Sequence, residues 1–245
     1  MITEVFNRVE EKFVVTLKQY GQLTYDLSDR LQYDIYNADG RFYTISNIYY
    51  DTPNDRLIRT SMQKPAYKEK LRLRAYGIPE TDDMVFMEIK KKYKGVVNKR
   101  RTTMKLKEAY NFAENHCLES CGDYINRQVL NELTYAFDLY GAVPKVYIAY
   151  DRCAYYYTED TSLRITFDRN IRARRSSLRL EAGDNGRQLL DSNKFVMEIK
   201  HSSHIPQWLV EELNKLGVRK TSFSKYGTEY ERMLREKLME EKIYA

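Results

Sequence analysis

Lys68-Glu69-Lys70-Leu71-Arg72-Leu73-Arg74-Ala75-Tyr76 is the stretch whose reading decides the fold. Successive side chains of a strand point to opposite faces. As a strand, this one puts Lys68, Lys70, Arg72 and Arg74 on one face and, from Leu71 onward, apolar groups on the other. Like charges side by side on a sheet repel one another. The row therefore needs acidic groups on neighbouring strands or a polyanion lying against it.

The same device recurs outward from this stretch. Residues 84–92 place Glu88, Lys90 and Lys92 opposite Met87 and Ile89, and Lys94-Gly95 turns the chain into a returning strand over 96–106. There the register decides whether Lys99 or Arg100 joins the cations. Residues 5–15 alternate Arg8, Glu10 and Lys12 with Val9, Glu11 and Phe13. Residues 42–50 read as a strand that Pro53 closes. Later strands are expected over 146–157, with Tyr150 and Arg152 on one face, over 163–168, with Arg164, Thr166 and Asp168, and over 195–201, with Glu198 and Lys200. Phe86-Met87-Glu88-Ile89-Lys90 is echoed by Val196-Met197-Glu198-Ile199-Lys200.

Helices are expected over 17–36, where Leu27, Leu31 and Ile35 are spaced by four, and over 107–140, with a break at Gly122 and Gly141 as its stop. Shorter ones are expected over 55–61 and 205–216, with Pro206 in the first turn of the latter. A C-terminal helix beginning near Ser224-Lys225 carries Tyr226, Tyr230, Met233 and Leu234. A helix start there favours anions, while the plainer role for Ser224 is an N-cap.

A solvated antiparallel sheet accounts for any single strand of this type. It accounts less well for Arg72, Arg74, Lys90, Arg152, Arg164 and Lys200 recurring at mid-strand positions. Amphipathic helical regions are available to cover the apolar faces. The expected fold is α+β: an antiparallel barrel of about eight strands, a tunnel with a charged interior flanked by helices, spanning residues 1–245 as one domain. Such an interior admits side chains or one slim ligand, and a chain of phosphates is a slim ligand that neutralises many cations.

The 245 residues suffice for a sizeable core. The 41 Lys+Arg against 35 Asp+Glu give a net charge of +6, weaker evidence for a polyanion than the local rows. Cys117 and Cys121 fit the buried face of a helix and, with Cys153, are expected as reduced thiols of a cytoplasmic protein. The charged N-terminus does not read as a signal peptide, and no apolar run approaches a membrane span, so membrane association would need a partner. His201 and His204 are read as surface histidines and not zinc ligands, and no Walker pattern is present. Strand-interior cations paired with glutamates argue against nucleic acid as the partner.

Arg8-x-Glu10-x-Lys12, Tyr49-Tyr50-Asp51-Thr52, Lys70-Leu71-Arg72-Leu73-Arg74, Glu88-x-Lys90, Tyr150-x-Arg152, Arg164-x-Thr166-x-Asp168, Glu198-x-Lys200 and Ser224-Lys225-Tyr226 together resemble the VTC catalytic domain. That domain belongs to the triphosphate tunnel metalloenzymes, alongside the CYTH phosphatases. The resemblance runs from Arg8 to Tyr226 and rests on the order and spacing of the motifs. It implies a tunnel that transfers the γ-phosphate of ATP to a growing polyphosphate with Mn2+ or Mg2+. Carried over by motif, Arg72, Arg74, Arg152, Arg164 and Lys225 would be catalytic. Lys12, Lys90, Lys99, Lys200 and Ser224 would bind phosphates, with Tyr150 either a further contact or packing. Glu198 would hold the metal, with Glu10 either a second ligand or a salt-bridge partner. Lys68 and Lys70 would sit nearer the rim. Arg8 stands where the superfamily's hydrolases often carry Glu, which leans the reading towards transfer. Because some VTC proteins are fused to membrane segments, a membrane-protein partner is also expected. A triphosphatase and a non-catalytic polyphosphate- or RNA-binding module are the rival readings.

Overall fold

The computed structural model describes residues 9–94, 96–118, 122–202 and 204–243. Arg8, Gly95 and Cys121, which figured in the sequence reading, lie outside them. In chain order the elements are β1 (Val9–Thr16), α1 (Leu17–Asp26), β2 (Leu31–Tyr33), a 3-10 turn (Ile35–Asn37), β3 (Tyr43–Asp51), α2 (Arg56–Met62), β4 (Tyr67–Tyr76), β5 (Met84–Tyr93) and β6 (Val96–Lys105). There follow α3 (Leu106–Asn115), α4 (Arg127–Tyr140), β7 (Val143–Tyr157), β8 (Arg164–Arg174), β9 (Arg187–Gln188), β10 (Lys194–His201), α5 (Gln207–Lys215), β11 (Lys220–Thr221) and α6 (Lys225–Ile243).

The strands form one antiparallel sheet of eleven, ordered β11-β1-β10-β8-β7-β3-β4-β5-β6, with β2 on β7 and β9 on β8. The α+β antiparallel architecture is as expected. The strand number is not, and among the described residues the sheet is not closed by hydrogen bonds, because the β6 and β11 edges do not pair. The sheet nevertheless curls strongly. Glu10 on β1 lies 3.5 Å from Lys90 on β5, although these strands are far apart along the hydrogen-bonded path. The result is a deep trough with one face turned inward.

Helices cover the outward face in two patches. Under α3 and α4, Leu71, Leu73, Val85, Met87, Ile89 and Met104 pack with Phe112, Leu133 and Phe137. Under α1 and α5, Phe13, Val15, Ile165, Phe167, Met197 and Ile199 pack with Leu23, Leu209 and Leu213. Each fully buried apolar side chain contributes roughly 1.5–3 kcal/mol, so these patches anchor the sheet. The inward face is not uniformly charged. Ile45, Val146, Ile148 and Tyr150 form a third cluster with Ile58 of α2 and with Tyr226 and Tyr230 of α6. These two helices plug part of the trough.

Local signals explain the helix boundaries. Thr16 caps α1 through a capping box: the Gln19 backbone N–H donates to Thr16 Oγ1 (3.2 Å) and the Thr16 N–H to Gln19 Oε1 (2.9 Å). Asn126 caps α4, and Gly141 ends it at φ +51°. The helix expected over 17–36 stops at Asp26. Leu31 instead opens β2, which pairs with the part of β7 that extends past β3, and Ile35 is exposed. Pairing with an open strand overrides a four-residue spacing. The helix expected over 107–140 is two helices. Since α3 ends at Asn115, Cys117 lies beyond it and is exposed, contrary to its expected burial, while Cys153 is buried. Both are free thiols. No helix among the described residues is long and apolar enough to cross a membrane.

Candidate functional site

The inward face holds a cavity of about 300 Å3. Among the described residues nine cations line it: Lys12 from β1, Lys70, Arg72 and Arg74 from β4, Lys90 from β5, Lys99 from β6, Arg152 from β7, Lys200 from β10 and Lys225 at the start of α6. Three carboxylates, Glu10, Glu88 and Glu198, line it too, and the fully buried Asp168 contacts Arg152 and Lys225. With all ionised, nine cations against these four carboxylates leave five positive charges uncompensated.

Strand alternation alone delivers most of these groups, and the carboxylates then order them. Glu88, 1% exposed, binds Arg72 Nε, lies 2.5 Å from Lys99 Nζ and 3.9 Å from Arg74 Nε. Arg74 is further held by Nε donating to Asn47 Oδ1 (2.9 Å) and Nη2 donating to the Tyr150 hydroxyl (3.1 Å). Asp168 takes Arg152 in a two-bond fork (2.7 and 2.8 Å) and Lys225 at 2.5 Å. Glu198 lies 3.1 Å from Lys12, 3.8 Å from Lys200 and 3.9 Å from both Arg152 and Lys225. Ser224 Oγ accepts from Lys70 Nζ (3.1 Å) and from the Gly227 N–H (3.1 Å), so the serine caps α6 and holds a cavity lysine at once.

Burial by itself would raise the carboxyl pKa values. Arg72, Arg74 and Lys99 override it for Glu88; Lys12, Lys225, Lys200 and Arg152 do so for Glu198; Arg152 and Lys225 do so for Asp168. All three are held below the usual carboxylate range, as is Glu10 beside Lys90, Lys12 and Lys200. The lysines divide. Burial is outweighed for Lys12, which Glu198 and Glu10 push upward. Burial prevails for Lys70 and Lys200, each brought down to about 8, and for Lys99, brought down to about 7. Burial would raise Tyr49, but Arg72, Lys70, Arg74 and Lys225 bring its phenol down to about 8.

Of the residues singled out from sequence, the cavity gathers Glu10, Lys12, Arg72, Arg74, Lys90, Lys99, Tyr150, Arg152, Glu198, Lys200, Ser224 and Lys225. Lys99 faces inward opposite Lys90, while Arg100 points out to Glu132 on α4. Arg164 is not among the lining residues. It shares a face with its partner Lys200, but its Nη2 donates to the buried Asp34 at 2.5 Å. Asp168 serves Arg152 and Lys225. Lys70, expected near the rim, lies in the cavity under Ser224. Sequence reasoning also passed over Glu88 and Tyr49 as site residues, although Glu88 shares its strand face with Lys90 and that parity would have found it.

Glu10 and Glu198 both approach Lys12 Nζ, at 3.4 and 3.1 Å, so this pair already surrounds a cation. No group of three or more His, Cys, Asp or Glu among the described residues forms a cage. The donor set fits a hard divalent ion that shares its coordination with phosphate oxygens and water, which is how Mg2+ is commonly held.

The VTC domain family model matches residues 7–234, and the chain belongs to that family. No curated protein matches it. Among solved structures, a candidate adenylate cyclase from Bacillus halodurans aligns with a TM-score of 0.56 at 14% identity, covering 91% of this chain and 96% of the other. A second candidate adenylate cyclase, from Vibrio parahaemolyticus, aligns with a TM-score of 0.50 at 13% identity, covering 91% and 98%. At these identities the likeness is one of fold.

Proposed function

We propose that this VTC-domain chain is a polyphosphate polymerase, moving the γ-phosphate of ATP onto the end of a growing polyphosphate with Mn2+ or Mg2+. The observation that carries the reading is the five-charge surplus in a narrow, sheet-walled cavity whose cations are fixed by buried carboxylates. Phosphoryl transfer needs alignment and charge neutralisation more than covalent help from the protein. A terminal phosphate oxygen of the acceptor attacks the γ-phosphorus, the bond from that phosphorus to the β–γ bridging oxygen breaks, and ADP leaves. Arg72, Arg74 and Arg152 present planar forks for phosphate oxygens, and the lysines present compact charges. These groups screen the repulsion between two anions, which water does poorly at close range. Glu198 and Glu10 would hold the divalent ion, which would add Lewis-acid neutralisation of phosphate oxygens.

The carboxylates favour transfer over hydrolysis. A hydrolase needs a base or a positioning group for water, and Glu10, Glu88, Glu198 and Asp168 are all ion-paired and held below the usual carboxylate range. This reading places the reaction in the cytoplasm and assigns any passage of product across a membrane to a partner protein. The test is incubation of the purified chain with ATP and Mn2+, followed by a polyphosphate gel beside a free-phosphate assay. A ladder is expected. Stoichiometric free phosphate without a ladder would make the protein a triphosphatase, and neither product would make it a binder.

A further inference from the structure

The inward face does not end alike in its two directions along β4 and β5. Towards one end the row runs from Arg72 through Lys70 to Lys68, opposite Lys92. Towards the other it passes Arg74 and ends in aromatic rings. Tyr76 lies two residues beyond Arg74, and Phe86 is the register partner of Arg74. Tyr43 is the register partner of Arg152. Tyr36 stacks on Tyr76, with ring centroids 6.0 Å apart and planes 9° from parallel. Tyr76 meets Phe86 edge-on at 5.8 Å and Tyr43 at 6.0 Å, and the Arg101 guanidinium lies 4.5 Å over Phe86.

We propose that Tyr36, Tyr43, Tyr76 and Phe86 form a stacking platform for the base of a nucleoside triphosphate whose phosphates occupy the adjoining cavity, without selection among bases. The inference rests on the polymerase reading and adds where the donor's nucleoside sits. Two features carry it beyond a row of tyrosines. The platform continues the phosphate-binding face, and two residues of strand, about 6.6 Å, leave room for a ribose between Arg74 and Tyr76. It is also both held and uncovered. Asp34, 2% exposed, accepts from the Tyr36 N–H (3.1 Å) and binds Arg164, fixing the turn that carries Tyr36. Yet Tyr36 and Tyr76 remain 68% and 44% exposed. Stacking on aromatic rings is tolerant of base identity because every base offers a π-face. The carboxylate that would read a base edge here, that of Asp34, is engaged by Arg164 and Tyr36.

The test is calorimetric titration of wild type, Tyr76→Ala, Tyr36→Ala and Tyr76→Phe with the β,γ-imido analogues of ATP and GTP, and with inorganic triphosphate as the phosphate-only reference. The two nucleotides should bind within about threefold of each other, and each alanine variant should weaken both by about 5- to 100-fold relative to triphosphate. Tyr76→Phe, which keeps the ring, should behave as wild type. Triphosphate binding by the variants reports that they are folded. An unchanged nucleotide-to-triphosphate ratio in both alanine variants would overturn the platform, as would an ATP–GTP difference above about tenfold. If wild type binds neither nucleotide nor triphosphate, the polymerase reading itself falls and the platform with it. If triphosphate binds and the ratio does not move, only the platform falls.

Discussion

Replacing Glu88 by Gln preserves the shape of the side chain and removes a charge that Arg72, Arg74 and Lys99 share. Glu88 is 1% exposed, so the loss falls on a buried partner. Removing one member of a buried ion pair costs roughly 3–5 kcal/mol, because the remaining charge is left uncompensated. Here the cations border a cavity that admits water, so the lower end applies, about 3 kcal/mol. A chain of this size loses about 2–4 °C of Tm per kcal/mol, giving a fall of roughly 6–12 °C for the ligand-free protein. A phosphate chain should reverse much of it. In the variant the anion meets three cations without a carboxylate competing for them, and an affinity gain of about tenfold adds about 1.4 kcal/mol of ligand-induced stabilisation at saturation. The assay is thermal unfolding of wild type and Glu88→Gln, each with and without millimolar inorganic triphosphate. Equal Tm values without ligand would refute the claim that Glu88 balances the cluster. A triphosphate-induced shift no larger in the variant than in wild type would refute the claim that carboxylate and phosphate compete for the same cations.

Arg74→Ala, which removes a fork held by Asn47 and Tyr150, should cut polymer synthesis by about 10²–10³-fold while the circular dichroism spectrum is retained; near-normal turnover would remove Arg74 from the transfer step. Glu198→Gln and Glu10→Gln should each shift the Mn2+ titration of activity to higher concentration, and wild-type curves for both would dismiss this carboxylate pair as the metal site. The pH dependence has a sign that follows from Lys70 and Lys200, at about 8, and Lys99, at about 7. An unfolded lysine titrates near about 10.4, so between about pH 7 and 10 the unfolded chain binds more protons than the folded one. The contribution of these lysines is most unfavourable below that window, and the stability of the ligand-free protein should rise through it. Triphosphate affinity, which needs the same protons, should fall over the same range. Affinity that is flat from pH 7 to 9 would show that these lysines stay charged without a ligand.

The inward-facing row was legible from Lys68–Tyr76 because a strand's two-residue period is a local property, and the same period located Glu10, Lys12, Lys90, Arg152, Glu198 and Lys200. What escaped is what distant segments decide. Lys70 looked like a rim residue until α6, 154 positions later, brought Ser224 against it. Lys99 and Arg100 differ by one step of register, which the pairing of Lys90 with Lys99 settles and no local pattern can. The placement of Arg164 and the helix expected over 17–36 are linked. Taking Leu27, Leu31 and Ile35 as a helical stripe hid the turn that carries Asp34, the partner that draws the Arg164 guanidinium out of the cavity. Closure was likewise overestimated. Alternation says which way a strand faces, but not whether the last strand reaches the first, and here the β6 and β11 edges stay unpaired while side chains meet across the trough.

A cavity with nine cations has to remain folded when no phosphate is present, and its two electrostatic devices answer that requirement differently. Four carboxylates, three of them buried, neutralise part of the charge permanently, and Glu88 and Asp168 set the angles of Arg72 and Arg152, so the forks are aimed before a ligand arrives. The remaining surplus of five exceeds the roughly 1.5–2 negative charges of a single phosphate group at neutral pH and calls for a polyanion. Part of it rests on groups that hold their protons loosely, because burial brings Lys70 and Lys200 down to about 8 and Lys99 down to about 7. A phosphate chain beside them would strengthen their hold on those protons. The carboxylate-paired cations would therefore supply alignment, and the three lysines an affinity that grows with the anion in place. Under the proposed polymerase reading, the product must be held during transfer and then slide by one phosphate. Cations permanently in full excess would oppose that movement, whereas lysines whose proton affinity falls as a phosphate leaves would lower the barrier to it.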